Sequence, residues 1–201
     1  VYGNNSKFPL TEQMNTDKPL SFYAATKKSN EVMAYSYSNI YKLPSTALRF
    51  FTVYGPYGRP DMSLFKFTKA ILSNKKISFF NSGDHIRDFT YVDDIVDGIS
   101  SLIPKPSLEI IPYNCFNIGG GKANKLIAFL NLIEKNLNKK AKIKNLPLQK
   151  GDVIKTQSSL NWCKKILNYN SKSIQGKLHQ KKDLISWEMV SVEIETFAMR
   201  L

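Results

Sequence analysis

Tyr23-Ala24-Ala25-Thr26-Lys27 sets a phenol and an ammonium four residues apart, so on a helix both project from one face. A free tyrosine is a poor base at neutral pH, but a nearby cation favours the phenolate. Such a pair can take the proton of an alcohol while a hydride leaves the same carbon for a nicotinamide. The spacing also describes a partly buried tyrosine beside a surface lysine, so its surroundings must decide. Arg59 lies in a turn, Gly55-Pro56-Tyr57-Gly58-Arg59-Pro60, where its planar fork suits a two-oxygen anion or remains solvated. His85 and His179 have no partner spaced for a triad or a metal site, and the expectation for both is the surface. Asn117-Ile118-Gly119-Gly120-Gly121-Lys122 lacks the spacing of a phosphate loop.

The elements that must position these groups alternate. Ser21 to Leu43 has apolar or aromatic residues at helical spacing, and Pro44 stops it. Thr46 to Tyr54 reads as one short buried strand, Leu64 to Asn74 as a helix, and Ile77 to Phe80 as a strand. Arg87 to Val92 is extended and leads into a helix opened by Asp93-Asp94, acids that suit a helix N-terminus. Cys115 to Ile118 is a strand ended by glycines, and Lys125 to Leu137 is an amphipathic helix. Helix following strand in this way indicates an α/β fold. Asn161 to Lys182 is polar, and Leu184 to Leu201 is compatible with a final helix.

The 201 residues, 42% hydrophobic, suffice for one domain, or for one domain plus a piece of another. No run approaches the roughly 18 apolar residues that would span a bilayer. The start lacks the basic flank and apolar core of a signal peptide. Cys115 and Cys163 show no zinc spacing and read as reduced thiols, which fits a cytoplasmic location. The net charge of +13 is regional: residues 122 to 182 hold 15 basic and 2 acidic groups, residues 1 to 121 hold 13 and 10. Lys135, Lys139, Lys140, Lys142 and Lys144 lack interleaved aromatics and read as a solvated face, not a nucleic-acid site.

Y-A-A-T-K-K-S-N-E, then L-R-F-F-T-V-Y-G-P-Y-G-R-P-D-M, then R-D-F-T-Y-V-D-D-I follow in the order found in extended short-chain dehydrogenases that modify nucleotide sugars. Over Val1 to Asp152 the chain most resembles bacterial UDP-glucuronate 4-epimerases. The resemblance implies a partial Rossmann-like parallel sheet plus a smaller carboxy-terminal α/β substrate-binding region. The remainder of the NAD-binding domain would be 1–56, the substrate-binding region with returning Rossmann segments 57–152, and a diverged tail 153–201. It implies NAD as cofactor, with Tyr23 catalytic, Lys27 bonding the NAD ribose and Phe51 packed by the nicotinamide.

For the UDP-sugar, the resemblance implies Thr52 and Arg59 at the sugar and its carboxylate. Met62, Ser63 and Leu64 would line a loop running into a helix N-terminus, and Phe79 would lie beside the uracil. Arg87 would clamp the diphosphate unless it pairs with Asp88, Asp93 or Asp94. Gln149 and Asp152 would form a turn whose acid reaches the ribose, although Lys150 stands where the family has proline. The glycine turn of the strand-to-helix type at 119–121 has no catalytic task in such enzymes. A full-length protein would be a homodimer through Ser29 to Tyr41.

Family members carry a G-x-x-G-x-x-G turn for the NAD pyrophosphate, and these 201 residues contain none. The expectation is therefore a carboxy-terminal piece, inactive by itself, of an enzyme converting UDP-glucuronate to UDP-galacturonate for polysaccharide synthesis. A UDP-glucose or UDP-N-acetylglucosamine 4-epimerase is the alternative within the enzyme class. A catalytically silent nucleotide-sugar-binding remnant is the alternative outside it. Gly176 and Trp187 suggest a diverged form of the family's ending.

Overall fold

The computed structural model describes residues 1–171. Gly176, Trp187 and the expected helix at 184–201 lie outside the described residues. The chain enters α1, Phe22–Tyr41, through Ser21, whose hydroxyl accepts the Ala24 N–H at 3.2 Å. An N-cap of this kind satisfies one of the amides that a helix start leaves free. The helix ends on Lys42 in the left-handed region, two residues before Pro44.

Where one strand is expected over 46–54, there are two. β1, Ser45–Phe50, pairs in parallel with β5, Tyr113–Ile118; β2, Thr52–Tyr54, pairs in parallel with β4, Ile86–Tyr91. Phe51 sits at the change of partner, its N–H donating to Ile118 O at 3.2 Å. β5 and β4 belong to different sheets, so the segment changes partner at Phe51 instead of continuing along one neighbour. β1 itself is only partly buried along its length.

α2, Ser63–Leu72, and β3, Lys76–Phe80, follow, and β3 pairs in parallel with β7, Lys142–Leu146. α3, Val92–Leu102, carries Asp93 and Asp94 in its first turn as expected. A short β6, Ala123–Lys125, runs antiparallel to β4 and feeds α4, Leu126–Leu137. The architecture is α/β, with three parallel strand pairings and one antiparallel one among the described residues. The Lys-rich face is solvated as expected, with Lys135, Lys139, Lys140, Lys142 and Lys144 all exposed. Among the described residues no helix is long and apolar enough to cross a membrane.

Two apolar cores hold the strands. The first joins Tyr54, Phe67, Ile77 and Phe79 with Phe89 and Phe129, whose rings stack 4.2 Å apart. The second joins Ile95, Phe116 and Ile118 to Cys163 and Leu167 of α5, Asn161–Leu167, and to Tyr169. Burying each such side chain contributes about 1.5–3 kcal/mol. The polar composition around 161–182 hides α5, whose Cys163 and Leu167 face inward while its lysines remain outside.

Candidate active site

A cleft of about 780 Å³ lies along one face of α1, the edge of β1, and residues 151–156. It brings together Tyr23, Lys27, Phe51, Thr52 and Arg87, which the sequence had placed in one site. Tyr23 is 65% exposed, and the Lys27 ammonium stands 5.4 Å from its ring centroid. The i, i+4 spacing therefore delivers both groups to one face, where a substrate can reach them. Phe51 offers a partly exposed ring, tilted against that of Tyr2 at 6.2 Å.

Beneath the cleft lies a polar network that sequence reasoning missed. Arg49 donates through Nε and one Nη to the two oxygens of Glu31, each at 2.8 Å, and both side chains are nearly buried. The second Nη of Arg49 donates to the Tyr2 hydroxyl at 3.1 Å and to Glu12 O at 3.2 Å. Tyr2 in turn donates to Asn117 Oδ1, while Glu12 accepts the Asn117 N–H at 2.9 Å. Burial pushes the Tyr2 phenol up to about 12, against the pull of Arg49. Burial disfavours the Arg49 charge, but hydrogen bonding to Glu31 overrides it and raises the pKa. The pair fixes α1, which carries Tyr23 and Lys27, to β1, which leads to Phe51 and Thr52. One signal was available: Glu31 is four residues beyond Lys27 and extends the same helix face.

Arg87 pairs with none of Asp88, Asp93 or Asp94. Its Nη2 donates to Asp152 Oδ1 at 2.9 Å, and Nη1 donates to Ile86 O and Ile154 O. Burial lowers the Arg87 pKa, and Asp152 opposes that shift. Two residues expected in one site, far apart in sequence, thus meet. Asp88 has a different task. Fully buried, it accepts the N–H groups of Gly120, Gly121 and Ser158 and the Ser158 hydroxyl. Burial raises its pKa, while the hydrogen bonds to Ser158, Gly120 and Gly121 pull the other way. A Cβ on Gly120 would stand 2.8 Å from Asp88 Oδ1 and 2.7 Å from Phe89 O, so the turn needs glycine there. Gly120 and Gly121 serve this internal carboxylate, while the Gly119 carbonyl accepts the Tyr169 hydroxyl at 3.0 Å.

His85 departs from expectation. It is 3% exposed, because β4 runs between β2 and β6 and carries its entry residue inward. Its Nε2 lies 3.1 Å from Asp152 Oδ2.

The remaining candidates lie elsewhere. Arg59, Met62, Ser63 and Leu64 line a small recess next to Thr52. The Arg59 guanidinium is taken by Asp61 in a two-point pair, so a ligand carboxylate would have to displace that acid. Leu64 is 5% exposed and packs into the first core, leaving only its main chain for a ligand. Phe79 cannot flank a base with its ring, which is 2% exposed and packed on Phe67. The alternation of β3 explains this: Ile77 and Phe79 point inward, and Phe80 is the half-exposed aromatic on the opposite side. Gln149 is exposed, and its carbonyl accepts the Asp152 N–H at 3.2 Å, which forms the expected turn.

Comparison with known proteins gives the family. Residues 1–119 match the family described as NAD dependent epimerase/dehydratase. The chain is 49% identical over 175 residues to protein CapI of Staphylococcus aureus, covering 80% of this chain and 52% of that one. It is 41% identical over 197 residues to a UDP-glucuronate 4-epimerase of Thermodesulfobacterium geofontis, covering 96% and 58%. The UDP-glucuronic acid 4-epimerase of Bacillus cereus, solved with UDP-glucuronic acid and NAD, superposes with a TM-score of 0.85 at 29% identity, over 94% of this chain and 59% of that one. The chain spans about half the length of the curated relatives it matches. It belongs to the NAD dependent epimerase/dehydratase family.

Proposed function

We propose that these residues form the substrate-binding and Tyr/Lys-bearing part of an NAD-dependent UDP-sugar 4-epimerase, with UDP-glucuronate as substrate and UDP-galacturonate as product. The convergence of Tyr23, Lys27, Phe51, Thr52 and Arg87 on one cleft carries the reading. The names of the T. geofontis and B. cereus relatives favour glucuronate.

The exposed Tyr23–Lys27 pair and the partly exposed Phe51 ring fit the nicotinamide riboside end of NAD. When bound, NAD supplies a reversible hydride acceptor. Tyr23 takes the proton of the sugar 4-hydroxyl as the carbon–hydrogen bond gives up its hydride, leaving a 4-keto sugar. Lys27, on the same helix face as Tyr23, holds the ribose. After the keto sugar turns over, hydride returns to its opposite face and Tyr23 gives the proton back. Arg87 pairs with the diphosphate by a charge-assisted fork, which keeps the nucleotide anchored while the sugar rotates. Asp152 reaches the ribose, and Phe80 takes the place beside the uracil that the buried ring of Phe79 cannot fill.

The test is product formation from UDP-glucuronate and NAD by a protein extended upstream through a glycine-rich NAD-binding turn. Tyr23→Phe is expected to lower kcat by about 100-fold or more. Undiminished turnover by that variant would remove Tyr23 from the chemistry. Faster turnover of UDP-glucose or UDP-N-acetylglucosamine would reassign the substrate. Residues 1–201 alone are expected to bind UDP-sugar without converting it.

A further inference from the structure

We propose that His85 is a positioning residue for the Asp152–Arg87 pair, holding the carboxylate so that Arg87 can turn to a diphosphate. The inference rests on the reading of Arg87 as the diphosphate ligand.

Asp152 divides its carboxylate between two sides. Oδ1 accepts the Val153 N–H at 2.8 Å and Arg87 Nη2 at 2.9 Å, whereas Oδ2 faces His85 Nε2 at 3.1 Å. The His85 approach makes no hydrogen bond in this arrangement, so a buried ring nitrogen stands without one. Such a group is costly to keep, and it gains a partner only if the carboxylate rotates towards it. The main chain around it is fixed. His85 O accepts the Leu126 N–H, and Ile86 exchanges main-chain bonds with Ile154 and Thr156. The freedom therefore belongs to the side chains, and Asp152 is the most exposed of the three, at 32%.

Arg87 gives Nη1 to two main-chain carbonyls, which anchor one end of its fork. Among the described residues, the Asp152 contact is what occupies its Nη2 side. A diphosphate that takes Nη2 must compete with that carboxylate. If Oδ2 rotates onto the proton of His85 Nε2, Asp152 keeps a hydrogen bond as it yields Arg87, and the anion binds against a weaker competitor. A non-polar residue at position 85 would leave Asp152 to Arg87 and the Val153 N–H, with nothing drawing Oδ2 away.

The experiment measures the affinities of UDP and uridine for this chain by calorimetry at pH 8, where the UDP phosphates do not titrate. His85→Leu is expected to weaken UDP about five- to ten-fold relative to uridine, the size of coupling seen between contacting groups. His85→Gln, which keeps a donor, restores the ratio. In an Asp152→Asn background, His85→Leu changes the ratio no further. If His85→Leu does not fold, His85→Asn, polar but too short to reach Oδ2, is expected to show the same selective loss. Equal weakening of UDP and uridine, no weakening, or an unaltered loss in the Asp152→Asn background would overturn the proposal. Arg87→Met separates the two levels: an unchanged UDP-to-uridine ratio, or no UDP binding by the unmodified chain, defeats the reading of Arg87 on which the proposal stands.

Discussion

Replacing Asp88 with alanine tests whether one carboxylate holds three segments together. Asp88 Oδ1 accepts Gly120 N–H at 2.7 Å, and Oδ2 accepts Gly121 N–H at 3.1 Å, Ser158 N–H at 2.7 Å and the Ser158 hydroxyl at 2.5 Å. The variant leaves three main-chain donors and a hydroxyl facing a buried void. Each orphaned group costs about 1–3 kcal/mol. Removing a buried charge returns part of its desolvation penalty, and water entering the void offsets more. A net loss of about 3–5 kcal/mol follows, the size seen when one member of a buried charged network is removed. Urea unfolding followed by circular dichroism measures it. The sign of the pH dependence follows from burial, which raises the Asp88 pKa. A raised folded-state pKa gives a contribution fully present below the ordinary carboxylate value and lost as pH rises through the raised value. The stability gap between the native protein and Asp88→Ala should therefore narrow as pH climbs from about 4 towards that raised value. A loss under about 1 kcal/mol, or a gap that widens with pH, would refute the account.

Glu31→Gln leaves Arg49 buried beside a neutral amide and is expected to cost about 3–5 kcal/mol by denaturant unfolding, with Tyr23 and Lys27 losing their fixed placement. Phe79→Ala should cost about 3–5 kcal/mol, as a buried aromatic deletion does, whereas Phe80→Ala should cost under about 1 kcal/mol and instead weaken UDP binding. Burial pushes the Cys115 thiol up to about 11 and the Cys163 thiol up to about 12. Iodoacetamide at pH 8 should label Cys115 about 200-fold more slowly than an unfolded thiol, read by mass spectrometry with and without denaturant. Rapid labelling of the native protein would show that these thiols are not held as described.

Local periodicity was enough to place most elements, because an amphipathic helix or a short apolar strand declares itself within a dozen residues. The bounds of α1, α2 and α4, and the start of α3, lie within a few residues of those read from spacing alone. The Tyr23–Lys27 face was legible for the same reason, since helix geometry alone sets i against i+4. The division of 46–54 between two partners was not legible. Which neighbour a strand pairs with is settled by residues 35 to 70 positions away, here Phe89 and Ile118. The alternation of β3 was present in the sequence and would have put Phe79 inside and Phe80 outside.

By itself, the sequence determined the α/β class, the motifs and the face shared by Tyr23 and Lys27, all products of short-range geometry. Only the tertiary structure decided what each charge meets. Arg87 finds Asp152 and not the nearer Asp88, Asp93 or Asp94; Arg49 finds Glu31; and Asp88 turns inward to the glycines of 120–121 and to Ser158. Alternation along β4 sends Arg87 and Asp88 to opposite faces of the sheet. Which acid or amide waits on each face depends on chain segments brought there by folding.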